Sequence, residues 1–366
     1  MKKFLGIIFA LFLLITAVSA QEVEVLPSES ALVQKVEYYD EEDNTVVSVR
    51  QIVTVKLIGG ENAGKVIQVE NALSGNPYYD INLKKRMRVL LHVEKLGDEV
   101  VFSIADIERS SVLFWLACLF AGLLIYVGGK KGIYSLVSIV LTCALLCKAL
   151  SPMILAGINP IFSTMLICLF STAITMYLVG GFNRKSSSAI LGCVTSLILA
   201  VILSALVVKI ASLTGFSSEH SMFLYSMHPE LNFVALIIST MIIATMGAVM
   251  DVAMSIASTI NEIHAVDSTK TVKELFNSGM NVGRDVIGTM ANTLILVYLG
   301  ASLPLLLLAS NIDFQKFINL NQVVTEVASA LIGSCAIVIC VPITALIAAQ
   351  LISKKSFNLT FFINED

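Results

Sequence analysis

The chain reads LNFVALIISTMIIATMGAVMDVAMSIAST at residues 231–259, a run in which Asp251 is the only charged residue. A helix needs about 20 mostly apolar residues to cross the hydrocarbon core of a bilayer, which is about 30 Å thick. A helix also satisfies its own backbone hydrogen bonds, which lipid cannot do. Residues 231–259 therefore predict a membrane-spanning helix.

Six further apolar stretches are long enough to span a membrane in the same way. The composition agrees, because 56% of the residues are hydrophobic and only 14% are charged, against about 25% charged in ordinary soluble domains. These values exclude a disordered chain, a basic nucleic-acid-binding domain and an ordinary cytosolic enzyme. The seven predicted spans lie near residues 111–129, 132–150, 161–181, 188–213, 231–259, 287–310 and 327–352.

Residues 1–20 have the pattern of a secretory signal peptide. Two lysines precede an apolar core at residues 4–16, and small residues at 17–20 precede Gln21. This pattern predicts cleavage after Ala20. The alternative is an uncleaved signal anchor, and both versions place Gln21 and the residues after it outside the cytoplasm.

Basic residues fall almost entirely on one side of the predicted spans. The connections after the first, third and fifth spans, together with the tail, hold nine Lys or Arg residues, whereas the other three connections hold Lys316 alone. Because cytoplasmic connections carry the excess of Lys and Arg, we expect a plasma-membrane protein with its N-terminal domain outside and its C-terminus inside. The predicted organisation is a signal peptide at 1–20, an extracytoplasmic domain at 21–110, seven membrane helices at 111–353 and a cytoplasmic tail at 354–366.

Residues 21–110 are acidic and rich in predicted strands. They hold sixteen Asp or Glu and ten Lys or Arg residues, and Val53, Val55 and Leu57 alternate with polar residues. Five short strands separated by turn residues predict a small all-β domain, an antiparallel barrel or sandwich of the OB or SH3-like type. The negative charge and sparse aromatic residues argue against nucleic acid as a partner. A protein partner is compatible with this domain, as is a role as a lid or spacer.

The predicted fifth span carries a row of small and polar residues. Gly247, Asp251, Ser255, Ser258 and Glu262 recur at steps of three or four, which places them on one helix face. A charge at the centre of a span costs at least about 2.5–3.5 kcal/mol, so a favourable interaction must offset this cost. The carboxylate of Asp251 can bind a proton or a cation. The alternative is a hydrated carboxylate near the cytoplasmic end that only fixes helix packing.

The segment after this span is polar and rich in glycine. Thr271 and Glu274 have the spacing of a capping box that opens a short helix. Glycines then predict a helix break at membrane depth, which proteins tolerate where the break lines a cavity. The alternative is a cytoplasmic loop whose glycines cap helices. The positions expected to act as hinges or helix breaks are Gly247, Gly279, Gly283, Gly288 and Pro304.

Two of these runs, residues 247–258 and 278–294, are similar to the signature of the YibE/F family of bacterial membrane proteins. Residues 128–132 resemble the first cytoplasmic turn of the family, and residues 152–160 resemble its P-x-x-x-x-G-x-N-P loop. Residues 59–71 resemble part of the family's ectodomain, so the chain is most similar to the YibE kind. The resemblance implies a multi-pass membrane protein, and it supplies no substrate and no catalytic residue.

We interpret the chain as a transporter or permease for a small solute or ion, with a polar site between the fifth and sixth spans. Asp251 would bind the proton or cation, and Arg284 with Asp285 would form a cytoplasmic gate or contact the substrate. The neutral residues expected to line the path are Ser255, Ser258, Thr289, Asn292 and Thr293.

Two other classes of protein fit the same residues. One is a membrane scaffold or regulator whose external domain binds a protein partner. The other is an intramembrane enzyme that uses Asp251 and Asp285 as an aspartyl pair. The sequence holds no H-E-x-x-H motif, no phosphate-binding G-x-x-x-x-G-K-[ST] loop and no nucleophile elbow, so we predict no enzyme activity, cofactor or metal. The expected partners are the lipid bilayer, a small solute or ion and a protein at the external domain.

Overall fold

The structure is a computed structural model that describes residues 28–40, 49–59, 62–76, 80–96 and 99–353. The predicted signal peptide and the predicted cytoplasmic tail lie outside these residues. The described chain forms two compact units, with the boundary between Val127 and Gly128.

The N-terminal unit contains one antiparallel sheet with the strand order β3-β2-β1-β4-β5. β1 pairs with both β2 and β4, and the two end strands, β3 and β5, also contact each other. The sheet therefore curls into a nearly closed barrel, which confirms the small antiparallel barrel predicted from the sequence. The strands are β1 (Glu29–Asp40), β2 (Val49–Leu57), β3 (Val66–Leu73), β4 (Arg88–Leu96) and β5 (Glu99–Ile107).

Alternating side chains fill the inside of this barrel. Val53, Val55 and Leu57 of β2 are buried, as their alternation with polar residues predicted. They pack with Val33 of β1 and Leu91 of β4 in one apolar cluster. Because successive residues of a strand point to opposite faces, this two-residue period alone determines which face of β2 is buried.

A buried amide links β2 to β3 and to the segment that precedes β4. The side chain of Gln51 is fully buried, and its Oε1 accepts hydrogen bonds from Asn71 Nδ2 at 2.8 Å and from the backbone N of Leu83 at 3.3 Å. Its Nε2 donates to Asn82 Oδ1 at 3.0 Å, and Asn71 Nδ2 also donates to the carbonyl of Ile81 at 2.7 Å. These bonds hold the segment that precedes β4 against the sheet.

Ten α-helices follow the barrel in the described residues. They are α1 (Ser110–Leu145), α2 (Ser151–Leu155), α3 (Pro160–Gly180), α4 (Arg184–Ile210), α5 (Glu219–Met227), α6 (Phe233–Val266), α7 (Val272–Ala301), α8 (Leu303–Leu308), α9 (Phe314–Ile318) and α10 (Asn321–Ile352). A π-helical turn at Leu146–Leu150 joins α1 to α2, and a 3-10 turn at Ala309–Asn311 precedes α9.

Six stretches of the described chain are long and apolar enough to cross a membrane, whereas seven were expected. The first, Ser110–Leu155, covers 46 residues and contains both the first and the second predicted span. Gly129 interrupts it with a non-helical backbone at φ 54° and ψ −132°, a region that favours glycine. A continuous helix of this length would extend about 69 Å, more than twice the hydrocarbon core. Two crossings in this stretch therefore stay our prediction.

α6 and α10 form the centre of the helical unit. α6 packs against α3, α4, α7 and α10, and α10 also packs against α4 and α7. Small residues permit these close contacts, because a Cβ added at Gly192 of α4 would lie 2.0 Å from Thr344 Oγ1 of α10. Membrane helices associate through such close backbone approach rather than through a hydrophobic driving force.

We expect the substitution Gln51→Leu to lower the free energy of unfolding of the barrel by about 1–3 kcal/mol, because it leaves Asn71, Asn82 and the Leu83 amide without their partner. Gln68→Leu is the matched control, since Gln68 is an exposed residue of β3. Pulse proteolysis of the full chain in urea measures the barrel's midpoint. Equal midpoints for the two variants would contradict the stabilising role of the Gln51 network.

Candidate functional site

α7 begins as predicted but does not break where predicted. Thr271 N donates to Glu274 Oε2 at 2.7 Å, and Glu274 N donates to Thr271 Oγ1 at 3.2 Å, so the capping box is confirmed. The helix then runs without interruption to Ala301. The predicted helix breaks at Gly279, Gly283 and Gly288 were therefore wrong.

Two other predicted hinge positions have different outcomes. α6 is continuous through Gly247, so the predicted hinge there was also wrong. Near Pro304 the helix does end: α7 ends at Ala301, and α8 begins at Leu303 with Pro304 in its first turn. Proline fits this position because the first helical residues have no intrahelical partner for their N–H groups.

Gly279 and Gly283 allow α7 to pack closely against its neighbours and do not bend the helix. A Cβ added at Gly279 would lie 2.7 Å from Ile260 Cδ1 of α6. A Cβ added at Gly283 would lie 2.2 Å from Val341 Cγ1 of α10 and 3.3 Å from Ile256 Cδ1 of α6. The two glycines are four residues apart on one face, and this face lets α7 approach both of its neighbours.

The same contacts fix how α6 and α7 lie along each other. Gly279 is opposite Ile260, and Gly283 is opposite Ile256, as expected for two antiparallel helices. Because both helices rise equally per residue, the register extends to positions further along. Ser255 then lies level with Arg284, Asp251 with Gly288, and Gly247 with Asn292.

The polar residues of α6 lie on the face that points away from the helix core. Gly247, Asp251, Ser255 and Glu262 are exposed and Ser258 is half-buried, whereas the opposite face is fully buried. The side chains on that buried face are Val249, Val252, Ala253, Ile256, Ala257 and Ile260.

α7 has the same arrangement. Leu275, Gly279 and Gly283 form its buried face. The predicted site residues of this helix are all exposed: Arg284, Asp285, Thr289, Asn292 and Thr293. The contact between α6 and α7 is therefore made by apolar side chains and glycine, and the polar groups occupy the outer faces at matching depths. The structure thus does not place the predicted site residues between the two helices.

The charged residues on these faces do not form ion pairs with one another. Arg284 Nη1 donates to Asn281 Oδ1 at 3.0 Å, one turn away on the same helix, rather than to Asp251 or Asp285. Within the described residues, neither aspartate side chain has a hydrogen bond or an ion pair. No contact joins Asp251 to Asp285, so the structure offers no support for an aspartyl pair.

The threonine side chains of α7 bond to their own helix. Thr289 Oγ1 donates to the carbonyl of Asp285 at 3.2 Å, and Thr293 Oγ1 donates to the carbonyl of Thr289 at 2.9 Å. Such bonds satisfy the hydroxyl hydrogen locally. The oxygen lone pairs stay available on the outer face.

The turn between α6 and α7 is short and firmly hydrogen-bonded. Asp267 Oδ1 accepts from Thr269 N at 3.0 Å and from Thr269 Oγ1 at 2.6 Å. Because these hydrogen bonds from Thr269 stabilise the ionised carboxylate, they hold the pKa of Asp267 below its usual range. The turn therefore keeps its bonds throughout the neutral pH range, and it would lose them only in acid, as the pH falls through that lowered pKa.

One carboxylate of a membrane helix lies just outside the span predicted from the sequence. Glu326 lies in α10, which begins at Asn321, whereas the predicted seventh span began at residue 327. Glu326 is half-buried and lines a cavity between the ends of several helices. The signal that could have found it is the helical period, which continues through Glu326 although the hydropathy falls there. No cluster of three or more potential metal ligands is present among the described residues.

These features define a polytopic α-helical membrane protein that carries a small β-barrel at its N-terminal side. The family model of the YibE/F-like proteins matches residues 116–354, and that of the YibE/F family N-terminal domain matches residues 25–107. The chain therefore belongs to the YibE/F family, which confirms the resemblance carried by its sequence motifs. Searches of curated proteins and of solved structures found no match.

We expect Gly283→Leu to lower the melting temperature of the chain, because the new side chain collides with Val341 and Ile256, and overpacking of this kind costs about 1–3 kcal/mol. Gly288→Leu is the matched control on the same helix, since a Cβ there meets nothing within 4 Å. Thermal unfolding in detergent, followed by size-exclusion chromatography, measures both. If Gly288→Leu destabilised the chain as much as Gly283→Leu, the assigned packing face of α7 would be wrong.

Proposed function

We propose that this protein is a membrane transporter that moves a small hydrophilic solute or ion along the polar outer faces of α6 and α7. One observation carries the proposal: two adjacent antiparallel spans present polar groups at the same depth, around a carboxylate that has no partner among the described residues.

The position of Asp251 makes a purely structural role costly. At 1.5 Å per residue, Asp251 lies about 27 Å along α6 from Phe233 and about 23 Å from Val266. It is therefore farther from both helix ends than half the thickness of the hydrocarbon core, about 15 Å, and a charge at the centre of a span costs at least about 2.5–3.5 kcal/mol. Water, a proton or a cation must offset this cost, and each of these implies a hydrated route to Asp251.

The residues around Asp251 suit such a route. Gly288 of α7 lies level with Asp251 and faces open space, so a solute meets no side chain there. One turn from Asp251 along α6, Gly247 also faces open space. Asn292 of α7 lies level with Gly247 and contributes a side-chain amide. Arg284 lies about one turn from this level on the cytoplasmic side of the proposed orientation, where it can select or hold a charged solute.

The orientation belongs to the same proposal. The signal-peptide pattern and the distribution of basic residues support a bacterial plasma-membrane location, with the barrel outside and the C-terminus inside. In this orientation α6 runs inward and α7 runs outward. The solute path then connects the outer ends of these helices with the cytoplasmic side near the Asp267–Thr271 turn.

A scaffold or regulatory function is the second candidate, because the barrel exposes large apolar side chains. Tyr38 and Tyr39 of β1 are 56% and 50% exposed, and Val100 and Val101 of β5 are 44% and 46% exposed. Aromatic side chains such as those of these two tyrosines are enriched at protein-binding surfaces. In this case the barrel would bind a protein partner, and deletion of residues 21–110 would abolish function while Asp251→Asn would not.

We expect Asp251→Asn to reduce flux through the reconstituted protein by about tenfold or more, because the site loses its ion-binding charge. Purified protein is placed in liposomes that contain a pH-sensitive dye, and proton and radioactive sodium uptake are measured under a membrane potential. Gly288→Leu should lower the flux as well, since it fills the open space level with Asp251.

The matched control is Gly300→Leu, at a second α7 glycine whose added Cβ meets nothing within 4 Å but which lies three turns further along the helix. We expect this variant to keep the wild-type flux. A folded Asp251→Asn protein with the wild-type rate for every ion that the wild type carries would refute the carboxylate's role.

A further inference from the structure

The outer face of α6 lacks the side chains that suit contact with lipid. Between residues 235 and 265, every exposed residue is small or polar, and none is a large apolar residue. These exposed residues are Thr240, Ala244, Gly247, Asp251, Ser255, Glu262 and Ala265. The outer face of α4, by contrast, exposes large aliphatic side chains along its length, at Leu191, Ile198, Ile202, Leu206 and Ile210. The outer face of α4 therefore suits acyl chains, and that of α6 does not.

The outer face of α7 is equally unsuited to lipid over residues 283–294. The exposed residues of this stretch are all small or polar: Arg284, Asp285, Gly288, Thr289, Asn292 and Thr293. Arg284 lies about 6 Å from the level of Asp251, whereas the hydrocarbon core extends about 15 Å on each side of its centre. Because lipid satisfies none of these groups, another protein surface must cover the two faces.

Two other apolar stretches of this chain lack the chemistry to cover these faces. Residues 4–20 and residues 110–127, the first part of α1, hold no charged residue and no side-chain amide. Neither stretch can form an ion pair with Arg284 or Asp285. The cover must therefore bring opposite charges of its own to this depth.

A second copy of the chain has these charges in the matching places, because Arg284 and Asp285 lie on either side of Gly288. At about 100° per residue, Arg284 is about 40° to one side of Gly288 around the helix, and Asp285 is about 60° to the other side. Two copies inserted in the same orientation are related by a twofold axis normal to the membrane. Such an axis beside Gly288 brings Arg284 opposite Asp285 of the partner subunit, at nearly the same depth.

We propose that the protein is a homodimer in the membrane, in which the polar faces of α7 meet across this twofold axis. Arg284 of each copy forms an ion pair with Asp285 of the partner subunit. Gly288 permits close approach of the two helices, since a Cβ added there meets nothing within 4 Å. The solute path then runs between the copies, with Asp251 left free to bind the solute. The enclosed path rests on the proposed transport function, whereas the dimer rests only on the need to cover polar groups.

The first test exchanges the charges in the full chain. Arg284→Asp leaves two acids side by side and Asp285→Arg leaves two bases, so copies of one variant repel each other. Single-molecule photobleaching of labelled chains in liposomes measures the dimer. We expect dimers for the wild type, and dimerisation weaker by about tenfold or more for each single variant. Mixing the two variants, each with its own dye, should restore dimers that carry both dyes, and a melting temperature checks that each variant is folded.

Cross-linking tests the same contact without altering its charges. The background is the full chain with the exposed Cys143, Cys147 and Cys335 replaced by alanine. In this background Gly288→Cys should form a disulfide between two copies under mild oxidation, because a residue on a twofold axis lies opposite itself. Ile198→Cys is the matched control on the outer face of α4, and it should form far fewer cross-linked dimers.

Several results would overturn the proposal. They are a wild type that stays monomeric at the protein-to-lipid ratio of the flux assay, equal cross-linking of Gly288→Cys and Ile198→Cys, and folded charge variants that do not pair when mixed. A disulfide from Gly288→Cys to the native Cys118 of the same chain would also overturn it, because α1 would then be the cover. A dimer that carries no ion would support the contact and refute transport, and a monomer that carries ions would do the reverse.

Discussion

Hydrocarbon offers no hydrogen-bonding partner, and this constraint determines most of what the helical unit looks like. The backbone responds by forming helices, and the hydroxyl side chains respond in the same local way. Ser239, Thr245 and Ser329 each donate to the carbonyl four residues earlier, at 2.9, 2.7 and 2.8 Å. These three hydroxyls therefore need no ligand to explain them. Carboxylates cannot satisfy themselves in this way, which is why Asp251 carries the proposed function.

The fold was largely predictable because its two signals are strong and independent. Apolar length identifies the spans, and the two-residue alternation of Val53, Val55 and Leu57 identifies the buried face of the barrel. The capping box at Thr271 and Glu274 was predictable for the same reason, since it is local chemistry at a fixed spacing. The hydrogen-bond network of Gln51 was not predictable, because its partners come from β3 and from the segment before β4, and only the folded sheet brings them together.

The predictions that failed concerned the role of the glycines in α7 and the direction in which the polar face of α6 points. A glycine at every fourth position is compatible with a break and with close packing, and the choice depends on the neighbouring helix. Ile256, Ile260 and Val341 decide it for Gly279 and Gly283, and these residues lie far away in the sequence. The period of the α6 row predicted one shared face correctly. It could not tell whether that face points into the bundle or outward, because both directions give the same spacing.

The link between α6 and α7 has a mechanical consequence. Only Asp267 to Thr271 separate the two helices, and hydrogen bonds accepted by the carboxylates of Asp267 and Glu274 hold both ends of this link. Gly279 and Gly283 then interlock the first turns of α7 with Ile260 and Ile256. Sliding one helix past the other would break the link and the interlock together, whereas tilting both helices as one body would break neither. The linked ends of α6 and α7 therefore form one rigid unit, which can tilt about a pivot outside the pair but cannot slide within it.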